Sequence, residues 1–522
     1  MSAFHPTLHR NWAAVAGRRQ FLRSAVAAAT ALPTARLWAE AASPRAIPET
    51  LAAVGGNGKP VTLTGRDLAD LRAGLRGPLL LAQAEGYDQA RRLWNGAFDR
   101  HPALIARCTS TADVVRAVRF ARAHELLTAV KGGGHSLSGQ SACDGGLMID
   151  LSLMKDIQVD AAQRTAKAQP GVLLAELDLR THALGLVTTL GTASDTGIAG
   201  LTLGGGQGRL MRRFGLTCDN MRSFEIVTAA GEVLRVDAHE HPELFWGLRG
   251  GGGNFGIVTS FEYQLHPLDH PVLAGGRLYP VEQARTVIAA LLELAERAPD
   301  ELYLSGGLTN IPPGGEVPPG HYAAIEFVYC GSPGDGERYL APLAKLPRPV
   351  MDSIAPKSYI TAQNGPTGAA PPALPPGLGV YVKSGFLNAF PDKLVDEIIR
   401  AFASGPEWLN EIGFGTLAGA VARVRPDATA YWNRNAQWDL LLDGVWSDHS
   451  QDERNARVLR ELWKAFEPYT EGYYVNTEPA AEERRLRATY GDNYPRLAQL
   501  KHTYDPTNLF RLNANIKPTA AS

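Results

Sequence analysis

Lys131–Gly139 reads KGGGHSLSG: three glycines in a row, a histidine, two serines around a leucine and a closing glycine. It directly follows the short apolar run Leu126–Val130. Glycine lets a backbone take positive φ and approach a ligand to hydrogen-bonding distance. Successive N–H groups in such a turn form a concavity suited to an anion, typically a pyrophosphate. A histidine set within it lies against whatever is bound. The same residues also suit a plain glycine-rich turn with an incidental histidine, so the reading depends on the rest of the chain.

Two further glycine clusters follow, Gly191–Gly208 (GTASDTGIAGLTLGGGQG) and Gly247–Gly256 (GLRGGGGNFG). The second contains Gly251-x-Gly253-x-x-Gly256, the spacing of a dinucleotide fingerprint. That fingerprint must open a helix. Here it runs into Ile257–Tyr263 (IVTSFEY), a β-branched and aromatic stretch that predicts a strand. The context argues against a nicotinamide-binding Rossmann domain, and no GxxxxGK[ST] occurs to make a phosphate-binding P-loop.

The chain has 522 residues, enough for two or more domains with sizeable cores. Lys and Arg number 52 against 53 Asp and Glu, which gives no electrostatic case for nucleic acid or an anionic membrane. The 54 glycines exceed ordinary usage, and their clustering points to function. Four cysteines without CxxC spacing argue against a zinc module or a disulfide scaffold, and no metal site is expected. Beyond the N-terminus no run is long and apolar enough to span a membrane.

Residues 1–42 have the layout of an export signal. Arg18-Arg19 precede the Ala-rich run Ala25–Leu32, and Ala39-Glu40-Ala41 offers a small-x-small cleavage site. The arrangement resembles a twin-arginine signal and implies a periplasmic or secreted protein; a basic amphipathic or disordered tail is the alternative. Helices are expected at Thr64–Arg76, Thr109–His124 (capped by Ser110 or Thr111) and Leu173–Leu184. Strands are expected at Leu127–Val130, Leu147–Leu151 and Thr165–Gln169, with a hairpin joining Phe224–Ala229 to Val233–Val236. From Pro267 the glycine clusters stop. Helices at Val281–Ala298, Lys393–Ser404 and Asp452–Phe466 then mix with strands at Leu302–Leu308, Tyr322–Tyr329 and Trp438–Trp446, and Pro366–Gly379 reads as a surface loop. The fold class is α+β in two blocks.

Five segments, in order, carry a resemblance: ARCTSTADVVRAVRFARAHELLTAVKGGGHSLSG, GGLMIDLS, GIAGLTLGGGQGRLMRRFGLTCDN, HPELFWGLRGGGGNFGIVTSFEYQL and YGDNYPRLAQLKHTYDPTNLFRLNANI. Together they resemble the berberine-bridge-enzyme-like flavoproteins of the vanillyl-alcohol-oxidase/PCMH superfamily. The resemblance implies a PCMH-type FAD-binding domain of two α+β subdomains over 98–266, after an N-terminal segment 43–97. A substrate domain with an antiparallel sheet covered by helices would occupy 267–465, and 466–522 would close the FAD site. It also implies a covalent bond from His135 to the flavin's ring methyl. Gly132, Gly133, Gly134, Ser136, Leu137, Ser138 and Gly139, with Thr196, Gly197, Gly200, Gly204, Gly205 and Gly206, would wrap the pyrophosphate and ribityl chain. Asn254, Gly256 and Val258 would line the adenine and phosphate side, and Asn513 and Asn515 would face the ring.

The sequence departs from that family's pattern in places. Ala193 stands where many members carry a second, cysteinyl tether, so a single tether through His135 is expected, with Cys218 as a packing residue. Gln207 replaces a tyrosine after the GGG loop, and the C-terminal YxNY reads Tyr474-Val475-Asn476-Thr477. Asp439 and Asp443 share a face of their strand. Asp439 or Tyr474 is the expected proton acceptor, with Gln207 beside it; both carboxylates facing solvent is the alternative. Tyr431, Trp432, Trp438 and Tyr473 could form an aromatic platform or simply core. The expected function is an exported FAD oxidase that takes hydride from a small alcohol, sugar or ring compound and passes electrons to O2, giving H2O2. Amine oxidation, another electron acceptor, or a flavin-carrying binding protein with little turnover are the alternatives.

Overall fold

The computed structural model describes residues 47–313, 317–364, 377–478 and 482–519. The export signal and most of Pro366–Gly379 lie outside the described residues.

The loop of interest hangs from a small mixed sheet ordered Leu79–Leu81, Leu104–Arg107, Leu147–Asp150, Thr128–Lys131, whose last three strands run parallel. Helix Thr111–Ala123 makes the crossover between two of them. Ser110 caps it by accepting from Asp113 N–H, and Val114, Ala117, Val118 and Ala121 form its buried stripe. Each large aliphatic on that stripe contributes about 1.5–3 kcal/mol by leaving water. Parallel strands deliver their loops to one end of a sheet, and Thr128–Lys131 ends directly at Gly132.

A second sheet, antiparallel and five-stranded, is ordered Val233–Asp237, Met221–Val227, Ile257–Gln264, Thr165–Ala168, Ile157–Asp160. Ile257–Gln264 is a strand and not a helix, so the glycine fingerprint before it is no Rossmann turn. Residues 47–97 are not a separate segment. Leu79–Leu81 pairs into the first sheet, and Leu63, Leu68 and Leu71 share one core with Leu104, Val118 and Leu147. The C-terminal stretch joins the same half: Tyr473, Tyr490, Tyr494, Leu497 and Ile516 pack with Phe255, Phe261 and Trp246.

The third sheet has eight strands and is antiparallel; its main path runs Met351–Asp352, Val272–Pro280, Gly320–Tyr329, Leu302–Ile311, Leu409–Thr416, Trp438–Trp446, Gly379–Leu387. Helices Ala284–Glu296, Asp392–Ala403 and Asp452–Trp463 cover one face, burying Leu440, Leu442, Trp438 and Trp446 with it. The opposite face, carrying Asp439, Leu441 and Asp443, turns to the glycine loops, where Leu441 meets Leu137. Strands Val272–Pro280 and Leu409–Thr416 escape sequence reading because Gly275, Gly276, Gly413 and Gly415 interrupt their alternation. Gly379 opens a strand, whereas the sequence reading left it in a loop.

Candidate active site

The glycine clusters converge on one cavity. Its walls come from Gly132–Ser138, Gly191–Ala193, Thr196–Gly197, Gly252–Gly253, Gly256–Val258, Phe510 and Leu512–Ala514, with Gln207 and Tyr474–Thr477 at one side. Lys131, buried at the head of the loop, donates from Nζ to Ala90 O and so anchors the turn; burial lowers its pKa. Glycine is obligatory where loops touch. A Cβ on Gly133 would lie 2.5 Å from Gly197 Cα, and one on Gly197 would lie 2.6 Å from Gly133 N. Gly134 adopts φ +77°, open to glycine at little cost.

Of the residues expected to hold a cofactor, Gly132, Gly133, Gly134, His135, Ser136, Leu137, Ser138, Thr196, Gly197, Gly200, Gly256, Val258 and Asn513 lie in the cavity wall. Others are placed elsewhere. Gly139 backs onto the Phe98 ring, Gly204 onto the Asn476 amide, Gly205 onto the Tyr431 ring and Gly206 onto Thr217; all four sit too close to these side chains for any Cβ. They shape the loop from behind. Asn254 is fully buried and spends its polar atoms on protein: Nδ2 donates to Gly251 O and Ala514 O, and Oδ1 accepts from Ile516 N–H. It pins the C-terminal segment and does not line the adenine side. Asn515 is outside the wall, with Oδ1 buried and unpartnered.

Tyr474 is the best-held polar group in the cavity wall. Its Oη accepts from Gly206 N–H at 3.1 Å, Gln207 N–H at 3.2 Å and Asn476 Nδ2 at 2.8 Å. Burial pushes the phenol up to about 12, while these donors pull the other way by favouring the anion. Gln207 Nε2 reaches the neighbouring Tyr431 Oη at 3.2 Å. Thr477 bonds to Ser384 Oγ at 2.6 Å and to Tyr474 O.

Asp439 and Asp443 do not face solvent. Asp443 is 7% exposed, held by Asn410 Nδ2 at 3.1 Å to both oxygens, and burial raises it to about 7. Asp439 accepts from Gly415 N–H at 3.1 Å, and burial raises it as well. Among the described residues no lysine, arginine or histidine forms an ion pair with either. Asp439 lies outside the cavity wall, beyond Tyr431 and Tyr303. Tyr431 packs edge-on to Phe386 at the sheet face, while Trp438 belongs to the helix-covered core, so the four aromatics form no single platform. Cys218 is fully buried away from the cavity wall, among Leu216, Tyr431 and Tyr474, and burial drives its thiol strongly upward.

Ala193 is in the wall, and Asp195, two residues on, pairs with His135 behind it. Sequence reading missed Asp195 and Trp94, each contributed by a loop remote from His135, with only the DTG after Ala193-Ser194 hinting at the first; Asn476 was read in the Tyr474-Val475-Asn476-Thr477 motif without a role.

Residues 102–237 match the model of an FAD binding domain, and residues 473–517 match that of the berberine and berberine-like segment. An FAD-linked oxidoreductase of Dictyostelium discoideum is 32% identical over 440 residues, covering 83% of this chain and 93% of that protein. The chain belongs to the berberine-bridge-enzyme-like FAD-linked oxidoreductases. Another relative, (R)-6-hydroxynicotine oxidase of Paenarthrobacter nicotinovorans, is 32% identical over 461 residues, covering 85% of this chain and 97% of its own. The crystal structure of 6-hydroxy-D-nicotine oxidase from Arthrobacter nicotinovorans superposes with a TM-score of 0.75 at 29% identity, covering 85% and 98% of the two chains.

The cavity fits FAD on its own evidence. Two glycine backbones meet with no space for side chains, which leaves N–H groups free to face a pyrophosphate. Asn513 Oδ1, on a cavity-wall residue, is buried without a hydrogen-bond partner, as expected of a group awaiting a polar ligand. Among the described residues no helix is long and apolar enough to cross a membrane.

Proposed function

We propose that this berberine-bridge-enzyme-like protein is an exported oxidase. It removes hydride from a carbon bearing a hydroxyl group in a small sugar or ring compound and delivers the electrons to O2 as H2O2. Its FAD is held through His135. Bound FAD supplies the hydride-accepting ring. The chain supplies the rest. Tyr474 takes the hydroxyl proton at Oη, and the three groups donating to that oxygen stabilise the negative charge it carries before the transfer. Gln207 holds Tyr431 alongside, and Leu137, Val380, Val382 and Leu441 make a dry wall between loop and sheet. Asp439, the other acceptor expected from sequence, stands outside the cavity wall beside Tyr431 and Tyr303 and takes no part in this transfer. The export reading is supported by Arg18-Arg19 ahead of Ala25–Leu32.

The observation that carries this reading is the Tyr474 oxygen in the flavin cavity wall with three donors, which favour the phenolate against the burial that raises the phenol to about 12. A second reading, oxidation of an amine, is favoured by the buried Asp443 and the half-buried Asp439, carboxylates that suit a substrate bearing a basic nitrogen. The name of the hydroxynicotine relative points the same way. An anaerobic screen of sugars, alcohols and amines, watching the flavin absorbance bleach, decides between them. Bleaching by alcohols or sugars supports the first reading and bleaching by amines alone the second; no bleaching by any donor overturns both in favour of a binding protein. Reoxidation on admitting air tests the oxidase assignment.

A further inference from the structure

His135 does not sit alone in its loop. Its imidazole stacks on the Trp94 indole, ring centroids 4.2 Å apart and planes at 26°. Nε2 lies 3.5 Å from Asp195 Oδ1 and is buried without a hydrogen-bond partner. The other carboxylate oxygen of Asp195 accepts from Trp94 Nε1 at 3.1 Å. One carboxylate thus touches both the imidazole and the ring stacked upon it, and the His135 side chain is 4% exposed. Three separate segments meet here: the stretch after Tyr87–Arg91, the KGGGHSLSG loop, and the GTASDTG loop that puts Ala193 where a second tether could have been.

We propose that Asp195, held by Trp94, is the positioning residue that makes His135 competent to bond FAD. The inference rests on the reading that His135 carries the tether. In that step the lone pair of one imidazole nitrogen forms a C–N bond to the flavin's ring methyl carbon. A C–H bond of that methyl breaks; its electron pair reduces the flavin and its proton is released. The alkylated imidazole, momentarily cationic, gives up its remaining N–H proton. Molecular oxygen then takes the electron pair and two protons, leaving oxidised, tethered flavin and H2O2. A carboxylate beside Nε2 holds the N–H at that nitrogen, leaves the lone pair on Nδ1, and stabilises the positive charge that the ring acquires. The Trp94 stack fixes the plane in which Nδ1 points.

The test follows tethering and not turnover. Full-length apoprotein from a riboflavin-starved host is mixed with FAD, samples are quenched in trichloroacetic acid over time, and protein-bound flavin fluorescence is read after denaturing electrophoresis. Wild type is expected to acquire acid-stable flavin and His135→Ala none. Asp195→Asn, matched in shape, is expected to bind FAD and to melt near the wild-type temperature while tethering about a hundredfold more slowly, the scale of a lost acid–base partner. Asp195→Glu should recover part of the rate. Trp94→Phe, which keeps the stack and removes the N–H that holds Asp195, should be slowed by a smaller factor; it stands in if the Asp195 variants fail to fold. Asp195→Asn tethering at the wild-type rate overturns the role of Asp195 alone. Wild-type protein that releases all its flavin in acid overturns the tether and this inference with it.

Discussion

At Tyr474 three hydrogen-bond donors converge on an oxygen that ordinarily carries its own proton. Because burial holds the phenol at about 12, the proton-accepting phenolate becomes more populated with every unit of pH below that value. Flavin reduction by substrate is therefore expected to quicken with pH up to the limit of folding. Tyr474→Phe should lose that dependence and about 10²–10⁴ of the rate while retaining FAD, as stopped-flow absorbance would show. Asp178 poses a different problem. It is 1% exposed, neither carboxylate oxygen has a partner, and burial raises it to about 8. A carboxyl whose folded pKa lies above its unfolded value contributes stability that is present in acid and is lost as pH rises between 3.8 and about 8. Asp178→Asn removes that loss. It should raise the melting temperature at pH 8 by the equivalent of about 1–3 kcal/mol and leave it unchanged near pH 4, measured by scanning calorimetry.

The C-terminal element shows how a short stretch is made rigid enough to wall a cofactor site. Lys501, fully buried near the end of helix Tyr494–Tyr504, pairs with Asp505 at 2.7 Å and donates to Asn254 O and Phe510 O. Asp505 in turn accepts from Leu509 and Phe510 N–H. Of the residues that follow, Phe510 and Leu512–Ala514 line the cavity. Lys501→Met leaves the Asp505 carboxylate buried and unpaired, a change worth about 3–5 kcal/mol. Weaker FAD retention on dialysis should accompany the lower melting temperature. The same element marks what was legible locally. From sequence, the run YGDNYPRLAQLKHTYDPTNLFRLNANI carried only the family resemblance and the expectation for Asn513 and Asn515, with no helix assigned before them. That Asn254, 260 residues from Ala514, would hold the tail in place is not written in either segment.

Across the whole molecule, the two halves are riveted by the residues after the second glycine cluster, Gly191–Gly208. Arg209 pairs with Glu326 at 2.8 Å and also donates to Thr192 O and Gln363 Oε1, all buried. Arg213 reaches Cys330 O and Arg212 reaches Leu417 O, each on the side of the eight-stranded sheet. Arg434 from that side returns a bidentate pair to Asp219, both contacts at 2.7 Å. Arg209→Met alone should cost about 3–5 kcal/mol by stranding Glu326. The double change Arg209→Met with Glu326→Leu should recover most of it, read from paired denaturation curves. If the double variant is as unstable as the single, the cost lies in packing between the halves and not in a stranded charge.

Sequence alone determined the parts whose physics is local. The glycine clusters, the capped helix Thr111–Ala123, the strand after the false fingerprint and the place of His135 in its loop are consequences of neighbours within a few residues, where steric freedom, capping and alternation act. The tertiary structure alone decided which groups meet. It set Asp195 against His135, three donors on Tyr474, Asp439 behind Tyr431, and four of the expected glycines behind the cavity instead of in its wall. It also formed the glycine-broken strands Val272–Pro280 and Leu409–Thr416, which are held by hydrogen bonds to distant partners. Such contacts are fixed by chain crossings and long-range pairing, and those leave no periodicity in a short stretch of sequence to read.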